Sequence, residues 1–218
     1  MFLWVITLFS LIGCQHGIPK KPIEPPKETF NWQKINSRDE EFPSSRFPLY
    51  LAKVPSDWTR VDPSSTESIA DTTKPLCEFY INEDTGSVRI TVHYFPSENI
   101  KDRIPPSAQI QRWKSQFESI DPALTITETE SHSGFVGLYL ECQGVMQGKP
   151  TKLMGWAMQL APEYYRRLSH DDSFFTLQKR ADYTIKAVGS PEIIDKHHKE
   201  IMTFGQSFEL IEVLPSTP

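Results

Sequence analysis

Two stretches in which apolar and polar residues alternate, Leu76 to Ile81 and Ser87 to Phe95, are separated by only five residues. That pattern commits this part of the chain to antiparallel sheet. Cys77, Phe79 and Ile81 share a face in the first arm, and Val88, Ile90, Val92 and Tyr94 share one in the second. Between them, Asn82-Glu83-Asp84-Thr85-Gly86 supplies the residue types a hairpin turn uses.

Further strands are expected at Leu49 to Val54, Thr125 to Glu130, Phe135 to Gly144, Lys152 to Leu160 and Tyr183 to Val188, with a last short one at Ser207 to Glu209. A turn at Gly148-Lys149-Pro150 is expected to join two of these. A helix is predicted from Ser107 to about Ser119, because Ile110, Trp113 and Phe117 fall on one face behind a capping serine. A second is predicted after Gly189-Ser190-Pro191-Glu192, with Ser190 as N-cap and Pro191 at the first helical position. Ile194, His197, Ile201, Phe204 and Phe208 continue one face of it, and Gly205 is expected to end it. Strands mixed with helices in this order give an α+β fold, with an antiparallel β-sheet and helices packed on both faces. The hydrophobic share of 38% is enough for a packed core in residues 49–212, and residues 213–218 are expected to be a disordered tail.

The N-terminus bears on location. Phe2 to Ile12 is apolar apart from Thr7 and Ser10. It is too short to cross about 30 Å of hydrocarbon as a helix, which takes roughly 20 residues, but it suits the apolar core of a secretory signal. No Lys or Arg precedes it, so the α-amine alone supplies the usual positive charge. Leu11-Ile12-Gly13-Cys14 resembles the lipobox of bacterial lipoproteins. The resemblance implies that residues 1–13 are a signal peptide cleaved before Cys14. It also implies that Cys14 becomes an S-diacylglycerol, N-palmitoyl cysteine, anchoring the protein to a membrane. Acyl chains add about 0.8 kcal/mol per buried CH₂, and two or more chains hold stably. Residues 14–48 contain Pro19, Pro22, Pro25, Pro26, Pro43 and Pro48 and are read as a tether without helix or sheet. The expected location is the extracytoplasmic side of a bacterial cell membrane or outer membrane. Gln15 stands where some inner-membrane lipoproteins carry aspartate.

The order strand, Pro55-x-x-Trp58, hairpin, helix with Arg112-Trp113-x-x-Gln116, antiparallel strands and terminal helix is similar to the PsbP-like domain. The resemblance covers roughly Leu49 to Leu210 and implies an α/β/α sandwich that binds or scaffolds, with no catalytic residues and no cofactor. About twenty residues, Ala161 to Arg180, are extra between two strands. They bring Tyr164, Tyr165, Phe174 and Phe175 beside Arg166, Arg167, Lys179 and Arg180. Aromatic and Arg residues are enriched at interfaces, so Tyr164, Tyr165, Arg166, Arg167, Phe174 and Phe175 are a candidate interaction surface, toward an envelope protein or an anionic bilayer. The alternative is a loop that folds its aromatics back onto the sheet.

The net charge of −5 is spread along the chain and gives no basis for a nucleic-acid partner. Cys77 and Cys142 are candidates for a disulfide, with two buried free thiols as the alternative. Asp84-Thr85-Gly86 spells an aspartic-protease tripeptide, but that chemistry needs two carboxylates sharing a proton, and no second copy exists. The histidines lack metal-ligand spacing, so no metal is expected, and His197 and His198 project about 100° apart on a helix. The expected role is therefore a non-enzymatic, membrane-anchored binding module, with a periplasmic enzyme or small-ligand carrier as the alternative.

Overall fold

The structure, a computed structural model, describes residues 30–37, 47–62, 74–170 and 173–211, and the side chains of Phe174 and Phe175 also fall outside the described residues. The expected signal peptide, Cys14 and the tail at 213–218 lie outside them as well.

The large sheet contains β3 (Thr59–Val61), β4 (Cys77–Glu83), β5 (Gly86–Pro96), β6 (Ser119–Ile120), β7 (Ile126–His132), β8 (Phe135–Met146), β9 (Lys149–Leu160) and β10 (Ala181–Gly189). Its order is β3-β4-β5-β10-β9-β8-β6, with β7 also on β8, and its pairings are antiparallel. The alternation read in the 76–95 hairpin is borne out: Cys77, Phe79, Ile81, Val88, Ile90 and Val92 are all buried in one cluster. Between β8 and β9 the turn residues are Gln147 and Gly148, with φ of 50° and 71°, rather than Gly148-Lys149-Pro150. Left-handed two-residue turns match the twist of paired strands, and Pro150 sits inside β9.

Helices cover both faces, as expected. On one face, α1 (Pro106–Lys114) packs Ile110 and Trp113, with Phe117 just beyond its end, against Leu140, Cys142, Leu153 and Ala157. The helix starts one residue earlier than predicted, at a proline, and Ser107 does not cap it. On the other face lie α4 (Pro191–Lys196) and α5 (His198–Gln206). The Ser190 hydroxyl accepts from the Ile193 amide at 3.3 Å, as a helix N-cap does. The terminal helix is broken at His197, which leaves helical geometry at φ −101° and ψ 13°. Gly205 does not end it. A Cβ there would lie 2.6 Å from the Trp156 ring, so the bare backbone of α5 is what seats this fully buried indole.

A second, three-stranded sheet has the order β1-β2-β11, from β1 (Phe30–Asn36), β2 (Pro48–Pro55) and β11 (Glu209–Leu210). Its Tyr50 packs on Phe135, Tyr183 and Phe208 in the main core. Strand β1 corrects the tether reading of 14–48. Phe30-Asn31-Trp32-Gln33-Lys34-Ile35-Asn36 contains no proline, so every residue retains its donor, and the segment pairs in register with β2.

Of the two readings of Cys77 and Cys142, the structure has the buried free thiols. They belong to separate clusters, Cys77 with the α4/α5 face and Cys142 with the α1 face. Strands β4 and β8 stand four places apart, roughly 19 Å at about 4.8 Å per strand, far beyond the Cα separation a disulfide allows. Each thiol does lie on a core face, but the sheet has two such faces. Among the described residues no helix is long and apolar enough to cross a membrane.

Candidate functional site

Strands β5 and β10 run side by side, with Thr91 opposite Lys186 and His93 opposite Thr184. Their inward residues fill the main core. The opposite face carries Arg89, Thr91, His93 and Phe95 from β5, and Asp182, Thr184, Lys186 and Val188 from β10. All eight line one groove of about 750 Å³.

The groove exists because α1 covers only part of this face. Trp113 draws the helix onto β9: a Cβ on Gly155 would come within 2.6 Å of its ring, so bare backbone is what lets the indole down. Seated there, α1 presents Gln109 and Arg112, and the turn after it Gln116, along the flank that faces β5 and β10. Gln109 and Arg112 stand at i and i+3, on one side of the helix.

One end is closed by a buried ion pair. Arg103 Nε lies 3.1 and 3.0 Å from the two Asp182 oxygens, and both side chains are less than a tenth exposed. Arg103 Nη2 also donates to the Leu160 carbonyl at 2.6 Å, while the Leu160 amide donates to Asp182 at 3.1 Å. The guanidinium stacks 5.2 Å from the Tyr165 ring centroid. This lattice ties the segment ahead of α1 to the sheet.

Toward the other end the charge is less balanced. Arg89 donates twice to Glu78, at 2.5 and 2.9 Å. That contact, helped by Tyr80, outweighs burial and holds the Glu78 carboxyl below its ordinary range. Among the described residues the Lys186 ammonium has only the Gln116 side-chain oxygen, at 3.3 Å. Burial, and then the charges of Arg89 and Arg112, push its pKa down. Arg112 has no side-chain partner among the described residues, and neither do the buried side chains of Gln109 and Thr184. Their polar atoms are not sealed off from the groove, so this stretch presents open hydrogen-bonding groups to a ligand.

The 161–180 segment turns out differently from a free interaction surface. It forms α2 (Pro162–Leu168) and α3 (Phe174–Lys179). Tyr165 is buried, with its hydroxyl donating to the Ser97 carbonyl at 2.7 Å. Tyr164 packs against the core under Arg167, whose guanidinium lies 4.4 Å from the ring centroid. Lys179 and Arg180 are buried and partnered. Only Arg166 and Arg167 of the described candidates stand exposed. The aromatics whose side chains are described thus fold back onto the sheet, because burying a tyrosine ring is favourable once its hydroxyl finds a partner.

The histidines are held separately. His197 lies between Glu200, at 2.6 Å, and Glu83, at 2.8 Å, whereas His198 contacts Glu141 at 3.1 Å. The two do not converge. Glu141 also meets Lys152, which bridges to Asp195. Among the described residues no group of three or more His, Cys, Asp or Glu side chains is arranged to hold a metal ion. Asp171 and Asp172 lie outside them.

The groove residues were missed by sequence reasoning because alternation marks Arg89, Thr91, Thr184 and Lys186 as solvent-facing. A signal was nevertheless present in Arg112-Trp113-x-x-Gln116, which places two polar residues one turn apart beside the buried indole.

No protein-family model and no curated protein matches the chain. Among solved structures, it is similar to LpqN, "involved in cell envelope biogenesis of Mycobacterium tuberculosis", at 10% identity over 74% of this chain and 82% of that one, with a TM-score of 0.47. It is also similar to the cyanobacterial PsbP of Synechocystis sp. PCC 6803, at 11% identity over 88% and 99%, TM-score 0.46. A third is a Pseudomonas aeruginosa protein described as of unknown function and a putative regulator, at 10% identity over 85% and 99%, TM-score 0.42. Fold does not fix function, and likenesses this distant assign neither site nor ligand.

Proposed function

We propose that this chain is a lipid-anchored envelope protein whose folded domain binds a ligand in the groove between α1 and β5/β10, without catalysing a reaction on it. Anchoring rests on Leu11-Ile12-Gly13-Cys14 following a short apolar run. Fifteen residues separate Cys14 from β1, a reach of at most about 58 Å. The domain then stands close enough to a bilayer to meet envelope components.

The binding role is carried by one observation. The groove, of a size usual for ligand sites, holds polar side chains that the protein leaves unpartnered. This favours the groove over the 161–180 segment, where Tyr164 and Tyr165 are already committed to the core.

Two measurements test the reading. Cys14→Ser abolishes incorporation of labelled palmitate and moves the protein to the soluble fraction; membrane association that persists refutes the anchor. Amide exchange of the full-length chain with an envelope extract should show protection in α1, β5 and β10. Protection confined to α2 would instead place the site at Arg166 and Arg167 and refute the groove.

A further inference from the structure

The groove is not uniformly charged, and the asymmetry has a direction. Its two lining carboxylates, Asp102 and Asp182, belong to the Arg103 end: Asp102 precedes Arg103 in the chain, and Asp182 lies four residues along β10 from Lys186, roughly 13 Å at about 3.3 Å per residue. Asp182 is taken up by Arg103. Arg89 is matched by Glu78. Among the described residues Lys186 and Arg112 are left without a carboxylate, although they approach from two different elements, a strand and a helix. Lys186 reaches Gln116 in the turn that follows α1, and Arg112 lies four residues before Gln116 in the last turn of the helix. On the strand side, Arg89 is diagonal to Lys186 across the β5/β10 pair, a spacing of about 7–8 Å. Like charges gathered this closely repel one another, and here their mutual repulsion adds to burial in lowering the Lys186 pKa. The fold tolerates this arrangement, and a bound anion would relieve it.

We infer that this end of the groove binds an amphipathic phosphate: a phosphoryl group held by Lys186 and Arg112, with Arg89 at the rim, and an apolar body laid along Trp113, Met146 and Val188. This rests on the groove being the binding site proposed above. Cations approaching from strand and helix suit a tetrahedral group that offers oxygens in several directions. Gln109 and Gln116 add donors on the helix side. The exposed apolar residue at the opposite rim, Ile104, is 45% accessible, and it extends the surface open to an apolar chain.

The test uses the full-length Cys14→Ser chain, followed by amide chemical shifts as each probe is titrated. The probes are hexyl phosphate, its neutral counterpart hexyl glucoside, and inorganic phosphate. Hexyl phosphate is expected to bind saturably, shifting amides of β5, β10 and α1. Inorganic phosphate should shift the same amides more weakly. Replacing Lys186 by Gln, or Arg112 by Gln, should each weaken hexyl phosphate about tenfold, the equivalent of about 1.4 kcal/mol. Arg112 is exposed, so its variant keeps the fold even if the Lys186 variant does not.

Equal affinity for hexyl glucoside and hexyl phosphate overturns the anion inference while leaving the groove as a binding site. No shift at the groove with any probe overturns both. Vesicles of phosphatidylglycerol and of phosphatidylcholine then separate the sources. Co-sedimentation with phosphatidylglycerol alone, lost in Arg112→Gln, assigns a lipid headgroup. Binding of hexyl phosphate without co-sedimentation assigns a free amphiphilic phosphate. Either result supports the inference.

Discussion

Replacing Arg103 by Met should destabilise the domain more than any surface change, because it strands a buried carboxylate. Asp182 would lose the guanidinium and keep only the Leu160 amide, at 3.1 Å, and the Gln159 side-chain amide, at 3.3 Å. The Leu160 carbonyl would lose its 2.6 Å donor as well. Removing one partner of a buried pair costs about 3–5 kcal/mol, and the lost stacking on Tyr165 adds about 0.5–1 kcal/mol. For a chain of this size each kcal/mol moves the melting temperature by roughly 2–4 °C, so the loss is roughly 7–24 °C. The decisive comparison is the double variant with Asp182→Asn. The side-chain oxygen there still accepts from the Leu160 amide, but the unpaired charge is gone. Urea denaturation should therefore find the double variant more stable than Arg103→Met alone, with a coupling of about 1.5–3 kcal/mol. Strict additivity of the two single losses would refute the argument, since it would mean that water already solvates the pair.

Two histidines should shape stability against pH in opposite directions. Burial pulls the His197 pKa down, but the carboxylates of Glu200 and Glu83 outweigh it and hold it above 6.5. The stability His197 contributes is full below 6.5 and is lost as pH rises through the raised value. For His132, burial outweighs Glu130 and lowers the pKa, so its neutral form is favoured and stability falls as pH drops below 6.5 toward the lowered value. In urea titrations from pH 5 to pH 8, His197→Gln should flatten the alkaline decline and His132→Gln the acid one; profiles unchanged by either variant would exclude these assignments. The two buried thiols should be inert in the folded protein, because burial pushes Cys77 up to about 12 and Cys142 up to about 11. Alkylation at pH 8 should label them only in denaturant, with or without reductant, and labelling that requires reductant would reveal a disulfide.

Much of the sheet was legible because its period survives in the residues. Cys77, Phe79 and Ile81 could be placed on one face from spacing alone, and Ser190-Pro191 marked a helix start that the Ile193 amide confirms. What spacing cannot convey is which of two covered faces a residue meets. Cys77 and Cys142 both read as core, and only the placement of α1 separates them. Gly205 carries the residue type of a helix stop, but its role is set by Trp156, which lies 49 positions earlier in the chain. β1 was hidden by its surroundings, because Pro26 before it and Pro43 after it made its seven residues look like more of the same. The groove was the least legible feature. Arg89, Lys186 and Arg112 come from separate elements and meet only because β10 lies against β5 while α1 rests on β9.

The position of β10 also dictates when the sheet can be completed. β3, β4 and β5 form one antiparallel set, β8 and β9 another with β6 and β7 beside them, and neither set pairs directly with the other. Both wait for Ala181–Gly189, which enters between them late in the chain. Until then β5 and β9 each present an open edge of unpaired amides and carbonyls, the feature that invites wrong pairing between molecules. Contacts between residues so far apart along the chain slow folding. A nascent chain emerging from its N-terminus therefore stays without a finished sheet until Ala181–Gly189 has been made, and an interruption before Ala181 leaves open two edges that β10 covers in the folded protein.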